Sequence, residues 1–292
     1  MSDVPLPTRT DEAPPSSGRP SMAPRPSFVP PPATPPRIVE TLLGFAGHMG
    51  HLGHITWQSL IQMWRRPLEI RSTLYQMEAL GVRSVGIASV TAIFVGMVMA
   101  VQFAFGLQKF GGMEYTGRII GLSFSRELAP TLTAVIVGGR IGSGIAAEVG
   151  SMNVTEQIDA IRALGADPIK KLVVPRLIAS TLVMPVLGAF ALVLGFVGAM
   201  FVCSMEFGIP RGFFLRTALG SVNFGDYFSG MFKCPFFGAI IALIGCHFGL
   251  ITRGGTEGVG QATTRTVVAT SIAILVADFM LTKVSILLFP GR

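Results

Sequence analysis

The chain has 292 residues, of which 50% are hydrophobic and only 13% are charged, and its mean hydropathy is +0.60. This composition excludes an ordinary soluble domain and indicates an integral membrane protein. The formal net charge of +7 does not indicate nucleic-acid binding, because the basic residues gather at the ends of long apolar segments.

The first 38 residues hold more than half of the chain's 20 prolines and few apolar side chains. Such a segment cannot bury enough apolar surface to fold, so residues 1–38 are predicted to form a disordered cytoplasmic tail. The tail lacks the apolar stretch of a signal peptide.

A moderately apolar segment, residues 38–63, follows the tail, and Trp57 and Trp64 lie at or next to its end. Tryptophans at one end of such a segment are typical of a helix that lies in the membrane interface. Its histidines recur every three residues, at His48, His51 and His54. At that spacing they turn around a helix, and no carboxylate lies between them, so we interpret them as packing residues rather than metal ligands.

Five apolar segments are long enough to cross a bilayer, which takes roughly 20 residues each. They are residues 84–105, 119–147, 177–205, 227–251 and 267–289. Most of the flanking basic residues precede span one, or lie between spans two and three or between spans four and five. The positive-inside rule therefore predicts a cytoplasmic N-terminus, and an odd number of spans then predicts a C-terminus on the opposite side.

Charged residues inside the spans are costly, at about 2.5–3.5 kcal/mol each on insertion scales, so they need partners or a polar cavity. Arg126 and Glu127 lie in span two and Lys233 lies in span four. We expect these three to line a polar zone in the outer half of the bundle, and a static ion pair between helices is the alternative. Asp278 and Lys283 in span five are assigned a structural role.

A short amphipathic helix is predicted between spans two and three. Asn153 is suited to its N-cap, with Glu156 three residues later as in a capping box, and Gly165 is suited to its end. The helix would have an apolar stripe, formed by Val154, Ile158, Ile161 and Leu164. Its charged face, formed by Glu156, Asp159 and Arg162, lies away from that stripe. Because an anionic membrane surface would repel the two acidic residues, we expect the helix to dock in a protein groove.

The sequence lacks the motifs of several common enzyme and metal sites. It contains no G-x-x-x-x-G-K-[ST] motif, so this chain is not expected to bind and hydrolyse ATP itself. It also has no H-E-x-x-H motif or other metal-ligand cluster. Ser143 and His247 could form an intramembrane protease dyad in principle, but a serine between glycines in a span is more often a packing feature. We predict no catalytic residue, no metal site and no cofactor bound by this chain.

Two stretches make the sequence recognisable. They are RELAPTLTAVIVGGRIGSGIAAEVGSMNVTEQIDAIRALGADPIKKLVVPR at 126–176 and ATTRTVVATSIAILVADFMLT at 262–282. Both resemble the permease subunit of the MlaE (YrbE) family. The resemblance covers about residues 38–289 and leaves out the proline-rich tail.

The resemblance implies an all-α integral membrane fold with an N-terminal interfacial helix, five transmembrane helices and a cytoplasmic coupling helix between spans two and three. The permease domain would occupy residues 39–292. Family members are permeases of ABC transporters that move phospholipids or other lipids between the bacterial inner membrane and a ring of MCE-domain proteins, and so contribute to outer-membrane lipid asymmetry. The implied partners are a second copy of the chain, two ABC ATPase subunits that use the ATP, a hexameric MCE-domain protein and, in some members, a STAS-domain protein.

By the same resemblance, Arg126, Glu127 and Lys233 look like the polar lining of the lipid pocket, and Phe110 falls near other pocket-lining positions. The coupling-helix positions that would contact the ATPase are Thr155, Glu156, Ile158, Asp159, Ile161, Arg162 and Leu164. The alternative function is a self-contained, proton-coupled secondary transporter that uses Glu127 and Asp278. Inverted repeats would support that alternative, and none is visible in the sequence.

Overall fold

A computed structural model describes residues 37–64 and 69–288, which contain helices and no strand. The chain divides into two units, Met1–Gly44 and Phe45–Arg292. The first unit is described only from Arg37, where helix α1 (Arg37–Trp64) begins. The tail predicted at residues 1–38 therefore lies almost entirely outside the described residues.

Five helical segments within the described residues are long and apolar enough to cross a membrane, which confirms the predicted number and order. They are Ile70–Gln108, Met113–Val154, Ile169–Met205, Phe224–Leu250 and Gly255–Leu287. All five are longer than predicted, and the last begins twelve residues before the predicted position 267. Backbone hydrogen bonding continues past the apolar stretch, so hydropathy identifies the segment that crosses the membrane but underestimates the length of the helix.

The helices of these spans follow one another along the chain. Span one consists of α2 (Ile70–Met77) and α3 (Arg83–Gln108), span two of α4 (Thr116–Ser123) and α5 (Ala129–Val154), and span three of α7 (Val174–Met205). The short helix α6 (Gln157–Ala163) lies between spans two and three, and α8 (Arg211–Ser221) lies between spans three and four. Spans four and five are α9 (Phe224–Leu250) and α10 (Gly255–Leu288).

Wide π turns interrupt three spans, at Glu78–Val82, Phe124–Leu128 and Ile169–Val173. The second and third π turns end two residues before Pro130 and Pro175. A proline has no N–H and crowds the carbonyl four residues earlier, so a wider turn there avoids a clash that a regular α-helix would have. Arg126 and Glu127 lie on the second π turn, and their side chains therefore leave the helix in directions that a regular helical wheel does not give.

Small residues allow the spans to pack backbone against backbone. A Cβ atom at Gly245 of α9 would lie 2.9 Å from the carbonyl oxygen of Gly142 in α5. Close contacts of this kind are common between membrane helices, where apolar surface alone gives no preference for a protein neighbour over lipid. Helices α5, α7, α9 and α10 share one apolar core. A second core joins α3, α4, α7 and α8 around Phe124 and Phe214.

The two ends of the bundle are distinct. At one end, here called the α8 end, α8 packs on α4 through Phe214 and Ala218. At the opposite end, the α6 end, the amide of Asn153 donates hydrogen bonds to the carbonyls of Leu250 (3.1 Å) and Thr252 (2.9 Å). Asn153 thus ties the junction of α5 and α6 to the turn between α9 and α10.

The predicted start of the short helix is wrong. Helix α5 continues to Val154, so Asn153 does not cap α6, and Glu156 precedes α6 with a φ of +60°, in the left-handed region. The Asn153 amide is instead used by the α9–α10 turn, which the sequence around it cannot reveal. A capping box does occur at the start of α9, between Asn223 and Asp226.

The predicted end of the same helix is confirmed. Gly165 has a φ of +74° and donates to the carbonyl of Arg162 (2.9 Å). Ala166 donates to the carbonyl of Ile161 (3.1 Å). These two hydrogen bonds form a Schellman motif, which needs glycine or a similarly permissive residue at this position.

Candidate functional site

A buried lysine joins three spans in the half of the bundle nearer the α8 end. Lys233 of α9 is only 2% exposed. Its ammonium group donates to Glu127 (2.6 Å), Asp278 (3.1 Å) and the hydroxyl of Thr282 (2.7 Å). An ammonium group has three donors, and all three are used. The charged cluster, defined as Glu127, Lys233, Asp278 and Thr282, therefore links spans two, four and five.

A further hydrogen bond within the charged cluster joins Thr282 to Glu127, and the cluster contains more negative than positive charge. The Thr282 hydroxyl donates to Glu127 (3.2 Å), so the lysine, the threonine and the glutamate form a ring. Two carboxylates share one ammonium group. The Glu127 side chain is 40% exposed at the surface of the single chain. A carboxylate facing lipid tails is costly, so this edge of the chain must face water or another protein.

Arg126 pairs with a residue that the sequence analysis overlooked. Its Nε donates to Asp226 (2.8 Å), and the Arg126 side chain is 43% exposed. Asp226 and Lys233 lie seven residues apart on one face of α9, with Gly230 between them. A Cβ atom at Gly230 would collide with the carbonyl of Ser125, so this glycine lets α9 lie directly against the π turn that carries Arg126 and Glu127.

The structure brings only two of the three predicted pocket residues into direct contact. Glu127 and Lys233 form an ion pair, whereas Arg126 pairs with Asp226. The structural role predicted for Asp278 and Lys283 stays a prediction, and the structure gives the two residues different neighbours. Asp278 binds Lys233, and the Lys283 ammonium lies 5.9 Å from the centre of the Phe279 ring. The spacing of Asp226 and Lys233, two turns apart on one helix, is the signal that could have identified Asp226.

An apolar void lies beside the π turn of span two. Phe124, Leu128 and Thr91 help to line it, and its volume is about 10 Å³. A void of this size holds at most one water and no lipid. Phe110, expected near the pocket, is exposed in the connection between α3 and α4.

The apolar stripe of α6 is divided between the interior and the surface. Ile158 is completely buried in the chain's own core and Ile161 packs beside it, while Leu164 is 85% exposed. Ile158 and Ile161 therefore fix α6 to the bundle, and the expected docking of this helix in a protein groove stays a prediction that would rest on its exposed residues. Of the positions predicted to contact the ATPase, the exposed ones are Thr155, Glu156, Asp159, Arg162 and Leu164. Arg162 and Asp159 form a surface ion pair (2.9 Å).

Three histidines meet between α1 and α9 near the α6 end. Nδ1 of His48 lies 3.1 Å from Nε2 of His247, and Nδ1 of His51 lies 3.0 Å from Nδ1 of the same ring. His247 thus contacts its neighbours through both ring nitrogens instead of sharing a point with them. Among residues 37–64 and 69–288, no group of histidine, cysteine and acidic side chains has the arrangement of a metal site.

The contact between α1 and α9 is expected to weaken in acid. The pKa of His51 is lowered by burial first, and then by the charges of His54 and His48. A lowered pKa in the folded state means that the contact is strongest above the ordinary value of about 6.5 and is weakened as the pH falls through it. Amide hydrogen exchange in residues 46–60, corrected for intrinsic rates, should be faster at about pH 5.5 than at about pH 7.5. The variant His51→Gln should reduce this difference, and equal protection of the wild type at both values would contradict the prediction.

Comparison with known proteins gives one family. A sequence profile described as Permease MlaE matches residues 73–284. A probable ABC transporter permease protein of Synechocystis is 43% identical over 237 residues, which cover 81% of this chain and 89% of that protein. The chloroplastic protein TRIGALACTOSYLDIACYLGLYCEROL 1 of Arabidopsis thaliana is 39% identical over 229 residues, which cover 78% of this chain and 65% of that protein. A probable ABC transporter permease protein of Rickettsia typhi is 37% identical over 217 residues, which cover 74% of this chain and 84% of that protein.

The profile spans both segments that carry the resemblance noted in the sequence, as well as the charged cluster and α6. Its extent and the identity to the bacterial and plastid proteins show that the chain belongs to the MlaE permease family.

Proposed function

We propose that this chain is the non-catalytic permease subunit of an ABC transporter that moves lipids. Two copies would form the membrane part, two ABC ATPase subunits would bind at the α6 end, and a hexameric MCE-domain protein would receive or deliver the lipid at the α8 end. The names of the relatives support this proposal, since the bacterial relatives are described as ABC transporter permeases and the plant relative bears the name of a glycerolipid. The same process would maintain outer-membrane lipid asymmetry.

The observation that carries the proposal is the exposed edge formed within the spans by the charged cluster and the neighbouring Arg126. Glu127 and Arg126 are both about two-fifths exposed in a single chain, at a depth where lipid tails cannot stabilise charge. In span five, only 11% of the most apolar stretch is buried within one chain. A second copy that covers part of this surface and leaves a polar cavity at the cluster would satisfy both features, and that cavity would hold the lipid headgroup.

The ATPase subunits would act on this chain through α6. By the positive-inside rule this end of the bundle would lie in the cytoplasm with the N-terminus, and the C-terminus would lie in the periplasm of a bacterial inner membrane. Helix α5 runs without interruption from the π turn that carries Glu127 to Val154, two residues before Glu156. Closure of the ATPases around bound ATP would press on the exposed residues of α6, and α5 would pass that displacement to the charged cluster.

The test combines purification with transport. The full chain, expressed in a bacterium with its natural partners and extracted in mild detergent, should co-purify with an ATPase and as a dimer by native mass spectrometry. The complex in liposomes should move labelled phospholipid when ATP is supplied. Transport by the isolated chain driven by a pH gradient would overturn the proposal in favour of the secondary transporter.

A further inference from the structure

A second polar feature lies at the α6 end, in the turn that joins α9 to α10. A cavity of about 180 Å³ opens there, well above the roughly 10–15 Å³ that one water needs. Arg253, Gln261 and Arg265 form its polar side, and Phe248 and Ile251 form an apolar side. This α9–α10 cavity is separate from the charged cluster, which lies toward the other end of the bundle.

Both arginines of the cavity are exposed, and no acidic side chain in the part of the chain that the structure describes pairs with them. Within residues 37–64 and 69–288, neither guanidinium group forms an ion pair or a side-chain hydrogen bond. Glu257, in the first turn of α10, is exposed and does not line the cavity. Two positive groups that face one cavity repel each other, so an anion between them would be stabilised by both.

The turn gives the cavity a defined shape. Gly254 and Gly255 have φ values of +90° and +68°, which favour glycine. A Cβ atom at Gly258 would collide with the carbonyl of Arg253, so the first turn of α10 lies directly against the backbone beside that arginine. Asn153 holds the same turn through the carbonyl of Thr252. A ligand in the cavity would therefore contact the segment that fixes the start of α6.

The chemistry of the lining indicates the kind of anion. Guanidinium groups bind phosphate oxygens with two parallel hydrogen bonds, and a pair of them suits a phosphate better than a single carboxylate. Arg265, Val268 and Ile272 lie on one face of α10, and the two apolar side chains are more than half exposed. A phosphate that carries an apolar body would satisfy the arginines and cover this face at the same time.

We propose that the α9–α10 cavity binds the phosphate group of an anionic glycerophospholipid, whose acyl chains lie along the exposed face of α10. Inorganic phosphate shares the chemistry of the headgroup, and the experiment separates the two. The site does not depend on the proposed transport function, because it is defined by Arg253, Arg265 and the cavity alone.

The test uses the full chain in a nonionic detergent, with short-chain phosphatidylglycerol as the probe and native mass spectrometry to count bound lipid. The wild type should hold one phosphatidylglycerol per chain at the site. The double variant Arg253→Gln/Arg265→Gln should lower the affinity by about tenfold or more. The matched control, Arg211→Gln/Arg216→Gln, removes the same charge from two exposed arginines of α8 and should bind like the wild type.

Several outcomes would overturn the proposal. Unchanged binding by the double variant would show that the arginines do not hold the lipid, and an equal loss in the α8 control would show non-specific attraction. Inorganic phosphate that binds as tightly as the lipid, through the same arginines, would overturn the lipid assignment. A double variant that binds lipid normally but no longer retains its ATPase would show that a protein group fills the cavity.

Discussion

Replacing Lys233 with methionine is expected to abolish lipid transport and to destabilise the protein by about 3–5 kcal/mol, because two neighbouring carboxylates within the membrane then lose the buried ammonium group that pairs with both. The triple variant Lys233→Met/Glu127→Gln/Asp278→Asn keeps the shapes of the side chains and removes all three charges. It should regain most of the stability, since neutral groups need no counter-charge, but it should not regain transport. Denaturant titration and ATP-dependent transport in liposomes measure the two effects separately.

The control for this series is Lys283→Met, which removes a lysine from the same half of the bundle. Lys283 is exposed and is not part of the charged cluster, so this variant should transport lipid at nearly the wild-type rate. If the triple variant also transports at the wild-type rate, the cluster is a static connection between helices and has no part in handling the lipid.

Replacing Glu156 with glycine is expected to separate ATPase binding from folding. Glu156 has a left-handed backbone, which costs a residue other than glycine roughly 1–2 kcal/mol. Glycine adopts this conformation freely, so the variant should be at least as stable as the wild type despite the greater entropy of its unfolded chain. The exposed carboxylate is lost, however, and we expect the amount of co-purified ATPase to fall severalfold.

A control at the same end of the bundle is Glu257→Gln, which removes an exposed carboxylate from the first turn of α10. This variant should retain the ATPase. If Glu156→Gly retains it equally well, the strained turn has a purely structural role, and contact with the ATPase must rest on other exposed residues such as Asp159 or Leu164.

Much of the fold could be predicted because its signals are local. A span needs only enough consecutive apolar residues to cross the bilayer, and the five spans follow from that alone. The end of α6 is also local, because Gly165 and the two hydrogen bonds of the Schellman motif lie within six residues. The cost of leaving a charge alone in a membrane predicts that Glu127 and Lys233 need either a polar zone or a partner, and the structure pairs them with each other.

The features that could not be predicted depend on contacts between residues far apart in the sequence. Asn153 is a good N-cap by its type, but its amide is used by the carbonyls of Leu250 and Thr252, which only the folded chain brings near. His247 gives no sequence signal of its contact with α1. The π turn before Pro130 changes the direction of the side chains it carries, so Arg126 meets Asp226 rather than the lysine.

The three-way contact of Lys233 also limits how the protein can move. One ammonium group binds side chains of spans two and five from span four, which fixes the three helices in register along the bundle axis. Thr282 adds a direct hydrogen bond between spans five and two. Sliding any one of these helices along the others would break two or more of these contacts inside the membrane. A transport cycle must therefore either rotate the three helices as one rigid body or open the whole cluster in a single step that another charged group, such as a lipid phosphate, compensates.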